Sequence, residues 1–95
     1  MEKLSTDDVA ERLAELPEWT QSGEAIQRTL GFRDFVEAMA FVNRVAALAE
    51  AQKHHPDILV RYSKVTLTLS THDANGITEK DFALARGCDE AIAAA

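Results

Sequence analysis

Hydrophobic positions recur along the chain at two periods, and the switches between them mark its elements. Val9, Leu13 and Leu16 follow at helical spacing behind Ser5, which sits three residues before Asp8 as an N-cap, and Pro17 stops the pattern. Trp19 to Gly23 and Glu24 to Leu30 predict two short strands around a Ser22-Gly23 turn, with Ile26, Leu30 and Phe32 at even spacing. Arg28 interrupts that apolar face. From Arg33 to about Lys53 the helix period returns, with Phe35, Met39, Val42, Ala46 and Ala49 as a stripe that Val36 and Val45 widen. Pro56 forbids its continuation, so His54 and His55 fall at a helix-to-loop corner.

Ile58, Val60 and Tyr62 then alternate, as do Val65, Leu67 and Leu69, predicting a hairpin about Tyr62-Ser63-Lys64. Asp73-Ala74-Asn75-Gly76 carries loop chemistry. Thr78, with Asp81 three residues on, resembles a capping box, and it opens a last helix whose apolar stripe is Phe82, Ala85, Cys88 and Ile92. The order is helix, two strands, long helix, two strands, helix. Closely spaced strands favour antiparallel pairing, which predicts an α+β fold with the helices on one face.

At 95 residues the length predicts a single domain, residues 1–95. A chain this short buries only roughly 60 to 65% of its unfolded surface, and self-association would cover more. Ten basic against sixteen acidic residues give a net charge of −6 with no Lys/Arg cluster, which argues against direct nucleic-acid binding. The single cysteine, Cys88, can form neither an internal disulfide nor a CxxC motif. The first residues lack the apolar run of a secretory signal, and no stretch approaches ~18 apolar residues. A soluble cytoplasmic protein with no membrane association is expected.

The residues that can do acid–base chemistry cluster. His54 and His55 are adjacent, His72 ends the following hairpin, and all three can meet at one end of the sheet. Glu50 lies four residues before His54, so on a continuing helix it shares that residue's face. A carboxylate and the helix C-terminus would favour imidazolium there, burial beneath a ligand the neutral ring. An imidazole balanced near neutrality gives and takes protons at cellular pH without a metal. Each residue also has a plainer reading. The histidine pair is equally well a polar helix end, His72 a strand-end residue, Glu50 a solvated helix residue, Asp81 a cap and Trp19 a core residue. A three-histidine metal site is chemically allowed, but HExxH is absent. No serine lies in G-x-S-x-G, Cys88 sits on an apolar stripe, and no Gly-rich phosphate loop is present.

The run Glu50-Ala51-Gln52-Lys53-His54-His55-Pro56, then Tyr62, His72 and Asp81 at their spacing, resembles the pterin-4a-carbinolamine dehydratases. Phe32-Arg33-Asp34-Phe35, Arg44-Val45-Ala46, Tyr62-Ser63-Lys64-Val65, Leu69-Ser70-Thr71-His72 and Gly76-Ile77-Thr78-Glu79-Lys80-Asp81 also look like family segments, and the likeness covers about Leu4 to Ile92. It implies a four-stranded antiparallel sheet with three helices on one side, in the order α-β-β-α-β-β-α, and association into homodimers or homotetramers.

The implied reaction is loss of water from a 4a-hydroxytetrahydropterin, the product left by a pterin-dependent aromatic amino-acid hydroxylase, giving a quinonoid dihydropterin. The pterin is the substrate, with no cofactor and no metal. By the same resemblance His54 and His72 handle the hydroxyl proton, and His55 places the pterin and serves as a second base. Glu50 orients His54, and Asp81 supports the site. Pro56 and the segment Thr71, His72, Asp73 and Ala74 line the pterin, and Trp19 approaches its ring. Lys53 departs from the acidic residue that animal members carry there. Those members also bind a homeodomain transcription factor through a helical surface, so the alternative is an interaction module acting through Arg33 to Lys53.

Overall fold

The computed structural model describes residues 2–93. Helix α1 spans Thr6–Ala14, strands β1 and β2 span Thr20–Ser22 and Ala25–Gly31, and helix α2 spans Phe35–Gln52. Strands β3 (Asp57–Arg61) and β4 (Lys64–Leu69) follow, then a short 3₁₀ turn (His72–Ala74) and helix α3 (Glu79–Ala93). The four strands form one sheet in the order β1-β2-β4-β3, with every neighbouring pair antiparallel. This is the α+β architecture expected, and its element order is α-β-β-α-β-β-α. Among the described residues no helix is long and apolar enough to cross a membrane.

Side-chain alternation decides which sheet face is covered. Ile26, Leu30, Val65, Leu67 and Leu69 point into the core, whereas the intervening Thr29, Leu59, Arg61 and Lys64 are exposed. Arg28 shares the inward face with Ile26 and Leu30, and Asp89 of α3 resolves the conflict. The Asp89 carboxylate accepts from Arg28 Nη1 at 2.7 Å and from Trp19 Nε1 at 2.9 Å. Polar interruption of an apolar strand thereby becomes a tie between β2, α3 and the segment leading into β1. The N-cap read at Ser5 forms, accepting from the Asp8 N–H at 3.1 Å, and the structure adds a second at Asp34, which accepts from the Glu37 N–H at 2.8 Å.

The buried face of α2 differs from the expected stripe. Ala38, Phe41, Val45 and Ala49 face the core, while Phe35, Val36 and Ala46 are exposed and Met39 and Val42 half-buried. Val45 and Ala49 belong to both, and the rest of the face is turned by one residue, with Ala38 and Phe41 in place of Met39 and Val42. Apolar residues occur nearly all round this helix, so spacing alone offers several stripes. Packing selects the one that buries Phe41 against Phe32, with ring centroids 5.2 Å apart, and Ala38 and Ala49 are buried on the same face. Gly87 of α3 leaves room for Leu48 of α2: a Cβ there would lie 2.6 Å from Leu48 Cδ2.

Two expectations follow. Phe41→Ala should lower the unfolding free energy by about 3–5 kcal/mol in chemical denaturation, and Val36→Ala by less than about 0.5 kcal/mol. Equal losses would put Val36 in the core instead. Burial, helped by neighbouring Asp89, pushes the Cys88 thiol up to about 12. At pH 8 it should therefore react with a thiol reagent at least about 100-fold more slowly in the folded chain than in denaturant, and equal rates would show the α3 stripe to be open.

Candidate active site

The site begins where α2 stops. Lys53 adopts a left-handed backbone conformation, φ 54° and ψ 40°. Its N–H reaches the Glu50 carbonyl at 3.3 Å, and that of His54 reaches the Ala49 carbonyl at 3.1 Å. These two bonds satisfy carbonyls that the helix end would leave open, in a Schellman arrangement. The reversal turns consecutive histidines in opposite directions. His54 goes inward, with its side chain 11% exposed, and His55 outward, with 64% exposed.

This overturns the expected pairing of Glu50 with His54. Same-face stacking four residues apart requires the helix to continue, and it ends at Gln52. Glu50 instead pairs with His55 Nε2 at the surface, and the carboxylate on His54 is Asp81, whose Oδ1 lies 2.6 Å from His54 Nε2.

Asp81 has no solvent exposure and needs donors for every oxygen. Its Oδ2 accepts from the Thr78 N–H and the Thr71 hydroxyl, each at 2.9 Å. The Lys80 N–H donates to Thr78 Oγ1 at 3.2 Å, and the two threonine hydroxyls lie 2.8 Å apart. One donor direction satisfies the chain, from Lys80 N–H through Thr78 and Thr71 to the carboxylate. The capping box read at Thr78 and Asp81 therefore exists, and its carboxylate caps α3 while it also holds an imidazole. Since a carboxylate only accepts, His54 Nε2 carries the shared hydrogen and Nδ1 is the nitrogen free for proton exchange.

The third histidine arrives from β4. Beyond Leu69 the chain forms a bridge between Thr71 and Gly76, with N–H to carbonyl distances of 2.9 and 3.3 Å, around the 3₁₀ turn. Asn75 takes the left-handed conformation that reverses it, φ 57°. His72 thus sits on this turn and not on the strand end; it is exposed.

A cavity of about 260 Å³ lies among these segments, lined by Lys53, His54, His55, Ser70, Thr71, His72, Asp73 and Lys80. Of the residues proposed from sequence, His54, His55, His72, Thr71 and Asp73 meet here. Glu50 and Asp81 stand behind His55 and His54, while Pro56 and Ala74 lie outside the lining. Trp19 does not approach: it is 3% exposed in the core, on Asp89, eight residues along α3 from Asp81. Ser70, Lys80 and the buried Thr78 were missed. Each looks like an ordinary turn or surface residue, and only Thr78's N-cap position hinted at more. Among the described residues no three His, Cys, Asp or Glu side chains are gathered as ligands for a metal.

If Asp81 organises the site, Asp81→Ala should cost about 3 kcal/mol or more in equilibrium unfolding, because it strands buried donors on Thr71, Thr78 and His54. Glu50→Ala, at an exposed pair, should cost less than about 1 kcal/mol. Similar costs would mean that Asp81 is an ordinary cap.

Related proteins place the chain in a family. The sequence profile of the family described as "Pterin 4 alpha carbinolamine dehydratase" matches residues 2–91. A protein of Thermomicrobium roseum, provisionally named a pterin-4-alpha-carbinolamine dehydratase, is 56% identical over 86 residues, 90% of this chain and 92% of its own. A crystal structure described as a transcriptional coactivator/pterin dehydratase from Brucella melitensis superposes with a TM-score of 0.90 at 36% identity, covering 94% of this chain and 97% of the other. A pterin dehydratase-like RuBisCO assembly factor of the alpha-carboxysome has a TM-score of 0.68 at 25% identity, over 78% and 88% of the two chains. With the profile spanning nearly its whole length, the chain belongs to the pterin 4 alpha carbinolamine dehydratase family.

Proposed function

We propose that this protein dehydrates a 4a-hydroxytetrahydropterin by proton transfer through the histidines of the cavity. The observation that carries the reading is the meeting of His54, His55 and His72 in one pocket, with His54 held by a buried carboxylate. The bond that breaks is C4a–O, and the departing hydroxyl needs a proton to leave as water. The bond that forms is the second bond between C4a and N5, as N5 releases its proton. No electrons are exchanged with a partner, so the reaction calls for no redox cofactor, and the pterin is the substrate.

The environments suit a division of labour. Asp81 fixes the His54 ring and leaves Nδ1 to exchange a proton with the substrate, and exposed His72 faces it from the 3₁₀ turn to complete the handling of the hydroxyl. His55, tied to Glu50 at the rim, positions the ring and serves as a second base.

Stopped-flow absorbance of 4a-hydroxytetrahydropterin decay tests this. The wild-type protein should accelerate decay, and His54→Ala and His72→Ala should each lose at least about tenfold, ~1.4 kcal/mol of transition-state stabilisation, at unchanged fold. Decay at the uncatalysed rate would overturn the proposal.

The second reading, an interaction module, has its own support. Phe35 and Val36 stand 48% and 76% exposed at the start of α2, and two structural neighbours are described as a coactivator and an assembly factor. Self-association into a dimer or tetramer through this helix or the sheet edges belongs to that reading. Val36→Glu should then abolish association measured by analytical ultracentrifugation while His72→Ala leaves it intact; association insensitive to Val36→Glu would rule out this surface.

A further inference from the structure

Two lysines open onto the cavity, and neither is where its own helix would place it. Lys53 occupies the left-handed position that closes α2, a conformation that favours glycine. Lys80 lies in the first turn of α3, where the helix dipole disfavours a cation. The dipole of α2 accounts for a cation at Lys53 but not for its backbone, and nothing in α3 accounts for Lys80. Among the described residues neither ammonium group has a salt-bridge partner.

The surrounding carboxylates are already engaged. Asp81 is taken up by His54, Thr71 and Thr78, Glu50 by His55, and Glu79 by Arg12. Asp73 alone faces the cavity without a partner among the described residues, so two ammonium groups stand against one carboxylate. This cationic rim lies on a chain whose net charge is −6. Local rules broken at two places that converge on one cavity mark a functional constraint.

We propose that Lys53 and Lys80 select a pterin whose side chain ends in an oxyanion, a phosphate ester or a carboxylate. The histidines take the ring, and the lysines take the anionic end at the rim, helped by the positive end of the α3 dipole. The inference rests on the cavity's being a pterin site, and it names the substrate class within that reading.

Fluorescence titration of the whole chain with 6-hydroxymethylpterin, its phosphate ester and 6-carboxypterin tests the proposal. At least one anionic ligand should bind about tenfold or more tightly than the neutral one. The preference should shrink between about 0.05 and 0.5 M salt. Lys53→Met and Lys80→Met should each reduce it, whereas Lys80→Arg should retain it. Which anion is preferred identifies the group. Equal affinity for all three ligands, or a preference that survives both methionine substitutions, overturns the proposal. So does failure of all three to bind. Equal affinity would leave the dehydratase reading standing, since that reading is tested by the decay of a neutral 4a-hydroxytetrahydropterin.

Discussion

A carboxylate sealed from water must be met by donors or it destabilises the fold that encloses it. Asp81 is in that position, and its donors come from three separate chain reversals: the corner after α2, the exit of β4 and the cap of α3. One charge therefore fixes three loop segments against each other. Loops are usually the mobile parts of a small domain, and here the hydrogen bonds to Asp81 make them a rigid cavity wall. The requirement is structural, but its product is an imidazole held by one nitrogen with the other left free.

Topology brings those reversals to one end. With β4 placed between β2 and β3, its exit lies in the middle of the sheet's edge, beside the end of α2. Helix α2 has 18 residues, ~27 Å of rise, and outreaches the six residues of β4 at ~20 Å. Its start is tied to the far end of the sheet, where the Phe32 N–H donates to the Ser63 carbonyl at 2.8 Å. A helix anchored there and crossing the whole sheet delivers His54 and His55 beside Thr71 and His72. The exposed Phe35, Val36 and Tyr62 remain at the opposite end, so an exposed apolar patch and the histidine-lined cavity are separated by the length of one helix.

Element types and two of the helix caps were legible in the sequence because they rest on local physics: strand alternation, helix period, Ser5 and Thr78 at helix starts, and Pro56 after a helix end. The face of α2 was not, because Ala and Val surround that helix and only its tertiary partners distinguish one stripe from another. The three histidines were legible as a cluster once the hairpin was placed. Their carboxylate partners were not. The exchange of Glu50 for Asp81 on His54 follows from a left-handed Lys53, a conformation lysine rarely adopts and no spacing rule anticipates. Trp19 read by itself as a core residue and only through the resemblance as a neighbour of the pterin ring, and the structure holds it in the core on Asp89, seventy residues away.

The most direct test of the Asp81 constraint is the His54 ring proton in an NMR spectrum optimised for imidazole nitrogens. A downfield Nε2–H resonance, protected from exchange and lost in Asp81→Asn at preserved fold, is the expected result. A His54 ring proton that exchanges with water as fast as that of exposed His72 would show that the buried carboxylate does not hold the imidazole, and would contradict the structure's organisation of the site.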